Sequence, residues 1–297
     1  MTWLAATLLA ALFNSWRTAL QHRVRDRLSV NGAGLVRFLY GLPVAILLLA
    51  GWCAVGGQPL PSATLLYLPI VLAAGLAQIV GTNLLLMAFA YRNYVAGTAY
   101  SKTEAIQGAV LSLVLLGERL PWLSWLGIAI GVAGVVLLAS GGRRPRLPDL
   151  GQPAALCGLG AGLGFTLTSI GVKLAAAELA TADMILAALT TLVAVQAGQV
   201  MMQGGYVLWR EPGQLRAVLA SWRQATPVGV LASLGSAGWF TGFTLAPVAL
   251  VRTVGQVEVL FTLGFSRLFL RESVKRHEIA ALFAVGLGVA LALAGTL

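Results

Sequence analysis

The chain has 297 residues, of which 58% are hydrophobic and only 10% charged, with a formal net charge of +10. A soluble domain carries about 25% charged residues, so this chain cannot clothe a water-facing surface, which excludes an ordinary soluble enzyme and places it in lipid. The basic residues sit mostly in short gaps between apolar runs, the pattern of membrane loops rather than of a nucleic-acid surface, so no nucleic acid is expected as a partner.

A spanning helix needs about 20 mostly apolar residues. Ten runs qualify: Thr2–Leu20, Asn31–Cys53, Thr64–Ala90, Tyr94–Leu116, Pro121–Ser140, Pro153–Ala175, Ala182–Gly204, Pro227–Leu245, Pro247–Leu270 and Lys275–Thr296. The first lacks a preceding basic segment and carries Asn14 and Arg17, so it reads as a retained helix rather than a cleaved signal. Trp122 and Trp125 open the fifth run as interface anchors. Gly127, Gly131 and Gly134 follow as a small-residue packing seam, used within the subunit or in a homodimer. The long connection from Tyr206 to Thr226 spaces Trp209, Leu215, Val218, Leu219 and Trp222 as on a helix, with Arg210, Arg216 and Arg223 among them. That pattern suits a short helix lying in the membrane interface. Cys53 and Cys157 lack a CxxC partner, and His22 and His277 lie in basic loops, so neither a metal nor a cofactor is expected.

Shifting the chain by 154 residues lays its second half on its first without an insertion. Glu104 falls on Glu258, Gly75 on Gly229, Gly81 on Gly235, Phe89 on Phe243, and Leu116-Gly117-Glu118 on Leu270-Arg271-Glu272. The expected fold is therefore an all-α integral membrane protein of ten transmembrane helices, arranged as two five-helix repeats, residues 1–140 and 153–297, joined by residues 141–152. An odd number of helices inverts the second copy and sets a pseudo-twofold axis in the membrane plane. Arg23, Arg25 and Arg27, Arg143, Arg144 and Arg146, Arg210, Arg216 and Arg223, and Arg271, Lys275 and Arg276 crowd the odd-numbered loops. The positive-inside rule puts those loops in the cytoplasm and both termini outside.

Glu104 and Glu258 lie in the middle of the fourth and ninth runs. An ionised acid at the bilayer centre costs at least ~3 kcal/mol, so each should face the bundle interior and be paired, protonated or wet. A carboxyl held between desolvation and a nearby cation can load and release a proton near neutral pH, the requirement of proton-coupled transport. The alternative is a pair of fixed salt bridges, for which Arg37, Lys102, Lys173 and Arg252 are available partners. On a continuous fourth helix, Tyr100, Ser101, Glu104, Gln107 and Gly108 share one face. Lys102 points elsewhere and is expected to cross to another helix or to snorkel. Gln78, Thr82 and Asn83 on the third helix, Thr168, Ser169 and Lys173 on the sixth, and Ser236, Trp239, Phe240 and Phe243 on the eighth add polar and aromatic candidates. For each Ser, Thr, Asn or Gln, helix-to-helix hydrogen bonding competes with substrate contact. Trp239 lies inside a span, where stacking, gating and plain packing all fit.

Two five-helix repeats, the Arg in Val36-Arg37-Phe38-Leu39, and the stretch LLGERLPWLSWLGIAIGVAGVVLLAS across helices four and five resemble the drug/metabolite transporter superfamily, EamA type. The resemblance covers nearly the whole chain. It implies an inner-membrane carrier of small organic solutes, in bacteria often an exporter, with a central cavity lined chiefly by helices one, three, four, six, eight and nine. Two features depart from the family pattern: the loop charges put both termini outside, and Arg271 stands where Gly usually precedes the acid, here Glu272.

The expected function is secondary transport of a small polar or amphipathic metabolite, such as an amine or amino acid, by alternating access, with proton coupling and export as candidate features. The expected substrate- or ion-binding residues are Glu104, Tyr100, Ser101, Gln107, Gln78, Glu258, Arg37, Lys102 and Trp239. A membrane-embedded enzyme is the alternative, against which stands the lack of HExxH, GxSxG and Walker-type motifs. A non-transporting assembly subunit is a third class.

Overall fold

A computed structural model describes residues 1–25, 28–91, 100–139, 153–261 and 276–295. The described elements are helical: α1 (Thr2–Arg25), α2 (Val30–Leu39), α3 (Leu42–Gly56), α4 (Tyr67–Tyr91), α5 (Glu104–Leu116), α6 (Trp122–Ala139), α7 (Pro153–Ala177), α8 (Met184–Arg210), α9 (Pro212–Ala220), α10 (Trp222–Leu245), α11 (Val248–Gly255) and α12 (Arg276–Ala294). Among the described residues, five stretches are long and apolar enough to cross a bilayer: Val30–Gly56, Tyr67–Ala88, Pro153–Ala177, Met184–Arg210 and Trp222–Leu245. Glu104–Leu116, Trp122–Leu137 and Ile279–Ala294 are shorter apolar helices. The protein is a multi-pass membrane protein, and its helices keep large apolar side chains such as Leu47, Leu68, Val114 and Phe283 on the outside, where a soluble protein would place charge. The expected linker at 141–152, the start of the fourth run and the end of the ninth lie outside the described residues.

The repeat offset survives in the helix starts. Val30 and Met184 open corresponding spans, 154 residues apart. Local chemistry sets several ends. Asp183 caps α8, its carboxylate accepting from the backbone N–H of Ile185 and Leu186. Gly117 closes α5 at φ +67°, a left-handed conformation that a side chain would strain.

The described chain divides into two compact units. The first comprises Met1–Ile79 with Thr168–Ala246, the second Val80–Leu167 with Pro247–Leu297. Each draws on both halves of the sequence. In the first, α1 runs along α10 so closely that a Cβ on Gly238 would sit 2.5 Å from the Ala6 carbonyl oxygen. α2 and α3 lie on α8. In the second, α6 packs along α12, and α11 lies against α5 over a core of Ala105, Ala109, Ile128, Val132 and Ala249. The glycine seam of α6 is filled from within the same chain: a Cβ on Gly127 would lie 2.5 Å from the Gly288 carbonyl oxygen, and one on Gly288 would lie 2.6 Å from the Gly131 nitrogen.

The expected interfacial segment contains the helix α9, which joins α8 to α10. Val218 is buried while Trp209, Leu219 and Trp222 are exposed. Arg210 and Arg223 lie over the rings of Trp209 and Trp222, at 4.5 Å and 5.3 Å from the ring centroids.

Candidate functional site

Sequence periodicity predicts unbroken helices through Glu104 and Glu258. The structure interrupts both. Residues 100 and 101 are helical, 102 and 103 form a turn, and α5 begins at Glu104. In the second copy α11 ends at Gly255, 256 and 257 form a turn, and 258–261 are helical again. The hydrogen bonding repeats as well. Thr103 N–H donates to the Tyr100 carbonyl and Ala105 N–H to Lys102; Val257 N–H donates to Val254 and Val259 N–H to Gln256. These are i-to-i−3 bonds, the tighter 3₁₀ step found inside helices at hinges and at strained sequences. The expected polar stripe is therefore split: Glu104, Gln107 and Gly108 ride on α5, while Tyr100 and Ser101 precede the turn.

Four charges meet at these breaks, within the second compact unit. Lys102 Nζ donates to Glu258 Oε2 at 2.6 Å and lies 3.8 Å from Glu104 Oε1. Arg252 Nη1 donates to Glu104 Oε2 at 3.2 Å, and its Nη2 donates to the Phe165 carbonyl at 2.7 Å. All four side chains are about nine-tenths buried. Each acid has its nearest cation in the other repeat, and Lys102 touches both acids. Two cations against two carboxylates leave the cluster formally neutral, which is what makes so many buried charges tolerable.

Packing around the cluster is close. Thr166 donates to the Glu104 carbonyl at 3.1 Å, and a Cβ on Gly162 would lie 2.9 Å from the Ser101 carbonyl oxygen, so α7 passes directly against the first break. Gln107 Nε2 donates to Thr103 at 3.1 Å and to the Leu159 carbonyl at 3.3 Å. Gln256, the repeat counterpart of Lys102, is 1% exposed, and its side-chain amide oxygen and nitrogen have no hydrogen-bond partner among the described residues.

The remaining expected residues belong to the first unit. Gln78 accepts from Gln199 Nε2 at 2.7 Å. Arg37 is buried, its guanidinium 5.6 Å from the Phe38 ring centroid. Trp239 stacks on Phe243 with ring centroids 5.9 Å apart. Lys173 donates to the Ala246 carbonyl at 2.9 Å, and Arg17 donates to Asn14 of its own helix at 2.7 Å.

The EamA-like transporter family matches residues 1–140 and, a second time, residues 146–294. The chain belongs to that family. No curated protein matches it. One solved crystal structure is similar over 97% of this chain and 95% of its own, with a TM-score of 0.69 and 18% identity, a likeness that shows the fold. In this EamA-family chain the sequence stripe missed Arg252, which entered only as one of several ion-pair partners. The available signal was a lone Arg in the apolar run from Val248 to Val254, six residues before an intramembrane acid. The buried amides of Gln196, Gln199 and Gln203 form a further polar row on α8, and their spacing of three and four residues is the signal that could have marked them.

Proposed function

We propose that this EamA-family protein is a secondary transporter of a small polar or amphipathic metabolite, of the amine or amino-acid type, working by alternating access as an exporter in the inner membrane. The observation that carries this reading is the buried four-charge cluster at two repeat-related helix breaks. Discontinuous helices in paired positions are where secondary transporters place substrate and coupling-ion sites. Glu104 binds the substrate's positive charge or a proton, Glu258 is its counterpart, and Lys102 and Arg252 hold the acids between cycles and meet a substrate carboxylate during one. Tyr100, Ser101 and Gln107 line the approach. Gln78, Arg37 and Trp239 serve the first unit in the same process. The two five-helix repeats, residues 1–140 and 153–297, are inverted copies whose exchange of roles alternates the open side.

Liposomes containing the protein are expected to show counterflow with at least one pool of amines or amino acids. Glu104→Gln is expected to slow that flux about ten-fold or more, the rate equivalent of one charge-assisted hydrogen bond. An internal pH dye should report proton movement that depends on substrate. Absence of counterflow for every metabolite pool rejects transport, and unchanged flux in Glu104→Gln removes that residue from the mechanism.

A further inference from the structure

We infer that Glu118, the acid of the Gly117-Glu118 motif, is the positioning residue that holds Arg252 in register with Glu104. The inference rests on reading the charge cluster as the transport site. Helix α11 has only 8 residues, and Pro247 at its N-cap supplies no side-chain hydrogen bond. The first N–H of such a helix has no partner within it. Val248 is 0% exposed, so bulk water does not reach that N–H. Glu118 Oε2 accepts from it at 3.0 Å, across 130 residues of sequence. A carboxylate at a helix N-terminus is also favoured by the helix dipole.

The local sequence brings Glu118 there. Gly117 ends α5 in the left-handed conformation, and the N–H of Glu118 returns to the Ser112 carbonyl at 3.2 Å, so the chain reverses as it leaves the helix. Arg252 stands four residues beyond Val248, one turn along the same side of α11. At the other end of α11, the Gln256 side-chain amide makes no hydrogen bond among the described residues. Glu118 therefore anchors the start of the short helix, ahead of the bonds that Arg252 makes further along it to Glu104 and to the Phe165 carbonyl. A slip of one residue along the helix axis moves a side chain by about 1.5 Å, enough to pull Arg252 from its 3.2 Å contact with Glu104.

Hydrogen exchange on the full-length protein in nanodiscs tests the anchor without any substrate. Glu118→Ala is expected to speed exchange of the amides from Val248 to Arg252 about five-fold, the equivalent of one hydrogen bond, with the amides of α6 and α12 unchanged. Glu118→Gln keeps an accepting oxygen and should stay near wild type, as should Arg119→Ala beside it. In liposomes, Glu118→Ala should lower counterflow and Glu118→Gln should restore most of it. Unchanged α11 protection in Glu118→Ala overturns the inference, as does a Glu118→Gln variant as impaired as Glu118→Ala, or lost protection with wild-type flux. A wild-type protein without counterflow rejects the transport reading instead, and the exchange rates then still decide whether Glu118 anchors α11.

Discussion

At the scale of single residues, the repeat is symmetric in its acids and asymmetric in its cations. Glu104 and Glu258 are counterparts, but Lys102 corresponds to Gln256 and Arg252 to Thr98. Each repeat thus contributes one cation to the other's acid. Removing one member strands a buried charge, which costs about 3–5 kcal/mol, whereas removing both members of a pair can be nearly neutral. Lys102→Met is therefore expected to destabilise the protein by about 3 kcal/mol in denaturant titrations in detergent, and Lys102→Met with Glu258→Gln to recover most of that loss. Asp183 is the N-cap just before the structural span Met184–Arg210, outside it, and behaves differently. Burial raises the pKa of its carboxyl, but the Trp52 indole N–H and the N–H groups of Leu186 and Ile185 outweigh this and hold it below the ordinary aspartate value. Its stabilising effect is thus complete above the unfolded-state pKa of about 3.9 and fades as the pH falls through the lower folded-state value. Asp183→Ala should cost about 1 kcal/mol near neutral pH. The gap to wild type, measured by thermal unfolding, should close in acid, while Asp183→Asn should keep most of the cap.

At the scale of elements, small residues set how close the helices lie. The α6–α12 seam admits no added methyl at Gly127, where a Cβ would meet the Gly288 carbonyl oxygen at 2.5 Å, whereas a Cβ on Gly286 of α12 would meet nothing within 4 Å among the described residues. Gly127→Ala is expected to cost about 1–3 kcal/mol by forcing the helices apart. Gly286→Ala is expected to be neutral or to stabilise by up to about 1 kcal/mol by restricting the unfolded chain. Equal melting temperatures for the two variants would contradict this contrast. The seam was legible as small-xxx-small spacing, because a glycine every fourth residue lies on one helix face. Which partner fills it was not legible, since any close-packed helix satisfies the same pattern. The breaks before Glu104 and Glu258 were illegible for a related reason. Lys102-Thr103 has no Gly or Pro beside it, the lone Gly255 before Gln256-Val257 is one of many isolated glycines in these runs, and tertiary bonds such as Thr166 to the Glu104 carbonyl and Arg252 to the Phe165 carbonyl surround the breaks.

At the scale of the whole molecule, composition alone required a membrane, and basic residues in alternate loops make a claim about orientation. A compartment-sensitive reporter fused to the C-terminus is expected to signal from outside the cytoplasm, and a cytoplasmic signal would reverse the loop assignment. The repeat, the apolar character of the helices and the acids placed among apolar runs were determined by the sequence itself, because hydropathy, spacing and self-similarity are properties of the one-dimensional chain. The tertiary structure alone decided how the acids are neutralised. Arg252 lies 148 residues from Glu104, and Glu258 lies 156 residues from Lys102. It also decided that each compact unit draws helices from both repeats. Pairing across such distances depends on where the backbone places each side chain in space, and in a span where every polar group must find a partner, that placement selects among cations the sequence offers equally.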